Sequence, residues 1–100
     1  MDKIKLLLLL GWKDYGYNSF SRREFSLGDY CLFEHQGKIG IVTEDYDFIY
    51  CDLTEEEIRK YTELINNVIE IDDNEESYTL YDYRLAKEKL DNYYKVLIEK

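Results

Sequence analysis

Residues 26–53 read SLGDYCLFEHQGKIGIVTEDYDFIYCDL, three runs rich in β-branched and aromatic residues parted by two turn signals. No other stretch restricts the fold as much. Leu27-Gly28-Asp29 forms a turn into a first strand, Tyr30 to His35. Gln36-Gly37 suits a two-residue hairpin turn, in which glycine accepts the positive φ that such turns require. A second strand is expected over Lys38 to Thr43 and a third over Phe48 to Leu53, joined by Glu44-Asp45-Tyr46-Asp47. This register puts Phe33 opposite Gly40, where a ring can cover a residue without a side chain and the backbone can be closely approached.

Gly28-Asp29, followed by Gly37, Ile39, Gly40, Ile41 and Val42, resembles the Gly-Asp-then-hairpin pattern of SH3-like small barrels. The resemblance covers a quarter of the chain and implies local β shape. It also raises one functional alternative, a peptide-binding adaptor that uses aromatic residues of the meander.

Upstream, Leu6 to Leu10 is a run of leucines stopped by Gly11, and a buried strand near residues 3–10 is expected. The run is too short for a signal-peptide core or a membrane span. Lys13 to Phe25 reads as a polar, turn-rich connection. Downstream, Thr54-x-x-Glu57 is a capping box, and Ile58, Tyr61, Leu64, Ile65 and Val68 make one helical face. This helix is expected over about 55–67, ending at Asn66-Asn67, with Val68 to Ile71 as a short strand. A second helix over about 80–99 starts at Thr79 with Asp82, and its stripe is Tyr83, Ala86, Leu90, Tyr93, Tyr94 and Leu97. With no proline and no linker-like run, residues 1–100 are expected to form a single α+β domain: a small antiparallel sheet packed by two helices on one face.

Charge separates the function classes. The net charge is −9, yet residues 27–77 hold three basic and fifteen acidic side chains, a local balance of −12. Such a field repels nucleic acid and anionic membranes and attracts basic proteins. Eleven tyrosines supply amphipathic contact area of the kind that interfaces favour. The sequence therefore predicts no direct nucleic-acid binding and no membrane role.

Candidate chemistry is sparse. Cys31 and Cys51 fall on the first and third strands, too far apart for a disulfide, and read as buried free thiols of a reducing, cytoplasmic compartment. His35 shares a strand face with Cys31, so a small enzyme built on that pair is a further alternative. No EF-hand spacing, zinc ligand set or phosphate loop is present, so neither a metal nor a cofactor is expected. The remaining candidates are Glu44, Asp45, Tyr46, Asp47, Asp52, Glu55, Glu56, Asp72, Asp73, Glu75 and Glu76, expected to bind a basic partner such as a nuclease or other nucleic-acid-binding protein. In size, acidity and tyrosine content the chain resembles the small acidic proteins of phages and mobile elements, among them anti-CRISPR proteins and other DNA mimics, and also bacterial immunity proteins. That resemblance implies a non-catalytic inhibitor.

Overall fold

The computed structural model describes residues 2–100. Five antiparallel strands lie side by side in chain order: β1 (Lys13–Tyr17), β2 (Arg23–Leu27), β3 (Tyr30–His35), β4 (Lys38–Val42) and β5 (Phe48–Ile49). Three helices complete the α+β fold, α1 (Lys3–Leu9), α2 (Glu55–Asp73) and α3 (Leu80–Ile98).

The β3–β4 register is as expected, with Phe33 paired to Gly40 and His35 to Lys38. Gln36 (φ 52°) and Gly37 (φ 81°) both take the left-handed turn conformation of a tight hairpin. Gly40 has no room for a side chain, because a Cβ there would collide with the Ile49 carbonyl oxygen and the Phe33 ring. Alternation along the strands then creates two different faces. Phe25, Leu32, Ile39 and Ile41 point inward and join Leu6, Leu7, Ile58, Tyr61, Ile65, Leu90 and Leu97 in one core. Phe33 and Val42 are also buried, but on the opposite face and outside that core.

Four expectations are corrected. The leucine run is helix α1 and not a strand. Asp2 caps it by accepting the Ile4 amide at 2.8 Å. Gly11 (φ 96°) ends it, with Gly11 N–H donating to the Leu8 carbonyl and Trp12 N–H to the Leu7 carbonyl, a Schellman closure. Helical periodicity buries only Leu6 and Leu7 of the run and leaves Leu8 and Leu9 exposed. Residues 13–25 are not a plain connection, since they contain β1 and β2. Tyr15 is an unpaired bulge residue between the Asp14–Phe25 and Gly16–Glu24 pairs. The third meander strand stops at Ile49, because Cys51 N–H turns back to the Ile49 carbonyl (3.0 Å) and Asp52 (φ 47°) redirects the chain. Finally, α2 runs through Asn66-Asn67 and Val68–Ile71 to Asp73. Both asparagines sit on the exposed face, while Ile65, Val68 and Ile71 extend the buried stripe beyond them.

Both helix starts agree with the sequence, each closed by a reciprocal capping box, Thr54 with Glu57 and Thr79 with Asp82. Helix α1 is fixed to α2 by a buried bond from Trp12 Nε1 to Thr62 Oγ1 at 2.9 Å. That hydroxyl in turn donates to the Ile58 carbonyl at 2.7 Å. Trp12 also stacks on Tyr61, and Tyr30 meets the same ring edge-on.

Two substitutions test this packing by chemical denaturation. Gly40→Ala is expected to cost about 2–3 kcal/mol, since the strand must move to admit one methyl group. Thr62→Val preserves shape but leaves the Trp12 N–H buried without an acceptor, and is expected to cost about 1–3 kcal/mol.

Candidate functional site

The acidic residues divide between the two ends of the sheet. Helix α2 has 19 residues and spans roughly 28 Å, with Glu55 and Glu56 at its start and Asp72 and Asp73 at its finish. The start lies by the β3–β4 hairpin end, where Leu53 N–H donates to the Ile39 carbonyl (2.8 Å). The finish lies at the opposite end, where Ile69 packs against Gly28 of the β2–β3 turn. In an antiparallel meander that turn shares its end with the β4–β5 connection, Glu44 to Asp47. The two connections are nevertheless offset by two strands, and Glu44 lies within electrostatic reach of Tyr94 in the last turns of α3. Glu44, Asp45 and Asp47 thus form a group apart from Asp72, Asp73, Glu75 and Glu76 at the finish of α2. Asp52, Glu55 and Glu56 are left at the other end.

Ion pairing differs between these groups. Asp52 meets Lys3 Nζ at 3.4 Å, and the Lys100 ammonium bonds both the Asp52 carbonyl and the Glu57 carboxylate. Burial alone would raise the Glu57 carboxyl, but Lys100 and the Thr54 amide outweigh it and hold it below its ordinary value. By contrast, Glu44, Asp45, Asp47, Asp72, Asp73, Glu75 and Glu76 are exposed and have no ion-pair partner among the described residues. Beside the last four opens a groove of about 430 Å³ lined by Ile71, Asp72, Glu75, Tyr78, Thr79, Leu80 and Tyr83. Tyr78, Leu80 and Tyr81 remain exposed around it.

The outer sheet face carries a second constellation, which the sequence reading missed because its members lie far apart in the chain. Phe33 fills the space over Gly40 and meets Phe48 and Tyr50 edge-on, with ring centroids 5.0 and 4.9 Å away. Tyr46, held at φ 61°, sets its ring 4.9 Å from Phe48, and its hydroxyl donates to Glu24 at 2.7 Å. That bond to a carboxylate raises the Tyr46 hydroxyl above its ordinary pKa. Of the expected site residues, Tyr46 alone is committed to this face. Arg22 crosses the cluster, its guanidinium carbon 4.3 Å from the Phe48 ring centre and its Nε donating to the Tyr50 hydroxyl at 2.6 Å. The only signal in the sequence was Phe20-Ser21-Arg22, and nothing local showed where that arginine would reach.

Cys31 and His35 are four residues apart on β3, about 13 Å along the strand. His35 Nδ1 lies 3.2 Å from the Ser21 carbonyl, and its ring meets Tyr50 edge-on. Both cysteines are free; Cys51 is buried, whereas Cys31 is half-buried and not the fully buried thiol expected. Among the described residues no three His, Cys, Asp or Glu side chains are grouped to hold a metal ion, and no helix is long and apolar enough to cross a membrane.

Comparison with protein-family models, with curated proteins and with solved structures found no match. Any functional reading of this chain therefore rests on its own geometry.

Loss of hydration pushes both thiols up, reinforced at Cys31 by Glu24 and Asp29. The thiolate is the reactive form, so alkylation by iodoacetamide at pH 7 is expected to be much slower in the native protein than after denaturation. Mass spectrometry of timed samples reads the difference. Equal rates in the two states would contradict it.

Proposed function

We propose that this chain is a non-catalytic, protein-binding inhibitor whose acidic end docks on a basic partner, a nuclease or another nucleic-acid-binding protein. The feature that supports this reading is the run of Asp72, Asp73, Glu75 and Glu76 at the finish of α2, exposed and without an ion-pair partner among the described residues. Exposed carboxylates steer and orient a cationic partner. The adjoining groove, with Tyr78, Leu80 and Tyr83 in its wall, offers apolar area that a purely solvating surface has no need of. Occupying the Lys and Arg side chains that hold phosphates would exclude nucleic acid from the partner, which is the sense in which the chain would act as a DNA mimic.

Asp52, Glu55 and Glu56 belong less well to such a surface. They lie roughly 28 Å away along α2, several times the Debye length of about 8 Å at physiological salt, so the two acidic groups act independently. Asp52 is also spoken for by Lys3. The proposed contact is therefore narrower than the acidic content of the sequence implies. A reducing cytoplasm suits the two unpaired thiols and is the proposed setting.

The test is affinity capture from a lysate at low salt, repeated at about 0.5 M salt, where screening is several-fold stronger. Basic nucleic-acid-binding proteins should be captured and should elute with salt or on addition of duplex DNA. A variant with Asp72, Asp73, Glu75 and Glu76 all changed to lysine should lose them by at least tenfold. A variant carrying Asp52→Lys, Glu55→Lys and Glu56→Lys should retain them. Capture that ignores both salt and charge reversal would sink the proposal.

A further inference from the structure

Arg22 and Arg23 are neighbours in the chain and have opposite fates. Arg23 lies on β2 and forms a two-pronged bond to the Asp14 carboxylate, with Nε 3.2 Å from both oxygens. Arg22 has no carboxylate partner among the described residues, in a protein with 22 acidic side chains. It is held by rings instead: 4.3 Å from Phe48, 5.3 Å from Phe20 and 5.5 Å from Tyr50, measured from the guanidinium carbon to the ring centre. Among the described residues only its Nε is hydrogen-bonded, to the Tyr50 hydroxyl. Glu24, the acidic residue of this face, is taken up by the Tyr46 hydroxyl and the Asn18 amide at 2.7 and 3.0 Å.

The loop that presents Arg22 is closed by hydrogen bonds of its own. The Asn18 side-chain oxygen accepts the amides of Phe20 (2.8 Å) and Arg22 (3.2 Å), and Ser21 takes φ 62° between them. A guanidinium fixed by ring stacking has already lost much of its rotamer freedom, and its remaining N–H edge matches a carboxylate in two-pronged geometry. Phe20 is 66% exposed and Tyr50 57% exposed, so apolar area flanks that edge. His35 and Lys38 form a cross-strand pair on the same face, and Lys38 has no ion-pair partner among the described residues. The result is a small cationic, aromatic patch on a chain of net charge −9.

From this we infer that the outer sheet face is a second docking surface, distinct from the acidic end, which takes an acidic linear peptide: one Asp or Glu side chain on Arg22, with neighbouring apolar or aromatic residues on Phe20 and Tyr50. A single carboxylate engages at short range, where the overall negative field is largely screened. A nucleic acid strand brings a charge with every nucleotide against the same field and is disfavoured.

A displayed library of random heptapeptides, selected against the immobilised protein in competition with Arg22→Gln, tests this. Enriched peptides should carry Asp or Glu beside an aromatic or aliphatic residue. They should bind Arg22→Gln at least tenfold more weakly and Arg22→Lys at an intermediate level, because lysine keeps the charge but not the planar fork. The lysine variant of Asp72, Asp73, Glu75 and Glu76 should bind them as the parent does, which separates this surface from the acidic end. Far-ultraviolet circular dichroism of each variant checks the fold; if Arg22→Gln is unfolded, Lys38→Gln with Phe20→Ala replaces it and should show the same loss. Overturning results are enrichment of Lys- or Arg-rich peptides only, enrichment insensitive to both sets of variants, no enrichment, or binding of a twelve-nucleotide single-stranded DNA in place of any acidic peptide.

Discussion

The absent side chain at Gly40 is the constraint on which the outer half of this structure depends. Because β4 offers no Cβ there, the Phe33 ring can occupy the space over the strand, and it is buried although it lies outside the main core. Burying such a ring contributes about 1.5–3 kcal/mol. Phe48 and Tyr50 meet its edges, Tyr46 meets Phe48, and Arg22 lies across them. The sheet thus has packed side chains on both faces, with helices covering only one of them. That is why so small a fold can present a rigid, partly apolar surface to solvent without losing stability to it.

The charge pattern has a comparable logic. Near the start of α2 the acids are matched by Lys3 and Lys100, which tie the beginning and end of the described chain to the turn before that helix. At the far end Asp72, Asp73, Glu75 and Glu76 have no ion-pair partner among the described residues. Arg23 with Asp14, and Lys87 with Tyr30 and Asp91, use up other cations close to the sheet and α3. The hydrogen bond from Arg23 holds the Asp14 carboxyl low, so this pair contributes above the ordinary carboxylate pKa and its contribution fades as pH falls through the lowered value.

How much of this was legible depended on whether the signal was local. The β3–β4 register could be read because Gln36-Gly37 sets the hairpin and Phe33 then has to meet Gly40. The starts of α2 and α3 could be read because a capping box is complete within four residues. The leucine run defeated periodicity, since every position is apolar, although Asp2 and Gly11 mark a helical start and stop. Strand β1 was hidden for the opposite reason. Edge position and the bulge leave Tyr15 and Tyr17 exposed, so KDYGY shows no apolar alternation. Asn66-Asn67 misled because exposed asparagines cost a helix little when the buried stripe continues through Val68 and Ile71. The acidic residues were visible one by one, but their partition needed the length and direction of α2. Arg22 needed the whole meander.

The bond between Trp12 and Thr62 bears on the order in which the chain can assemble. Every strand pairs with its neighbour in the chain, and α2 and α3 form an antiparallel helical pair, so most closures span few residues and can proceed quickly. Helix α1 depends on a distant closure, because its anchor joins residues 50 positions apart. A seven-residue helix is marginal on its own, so α1 waits for α2 to exist before its leucines find a surface. On the ribosome that interval covers synthesis of the entire sheet and the first turns of α2. Throughout it Leu6 to Leu10 is an unsheltered apolar segment, of the kind that chaperones engage.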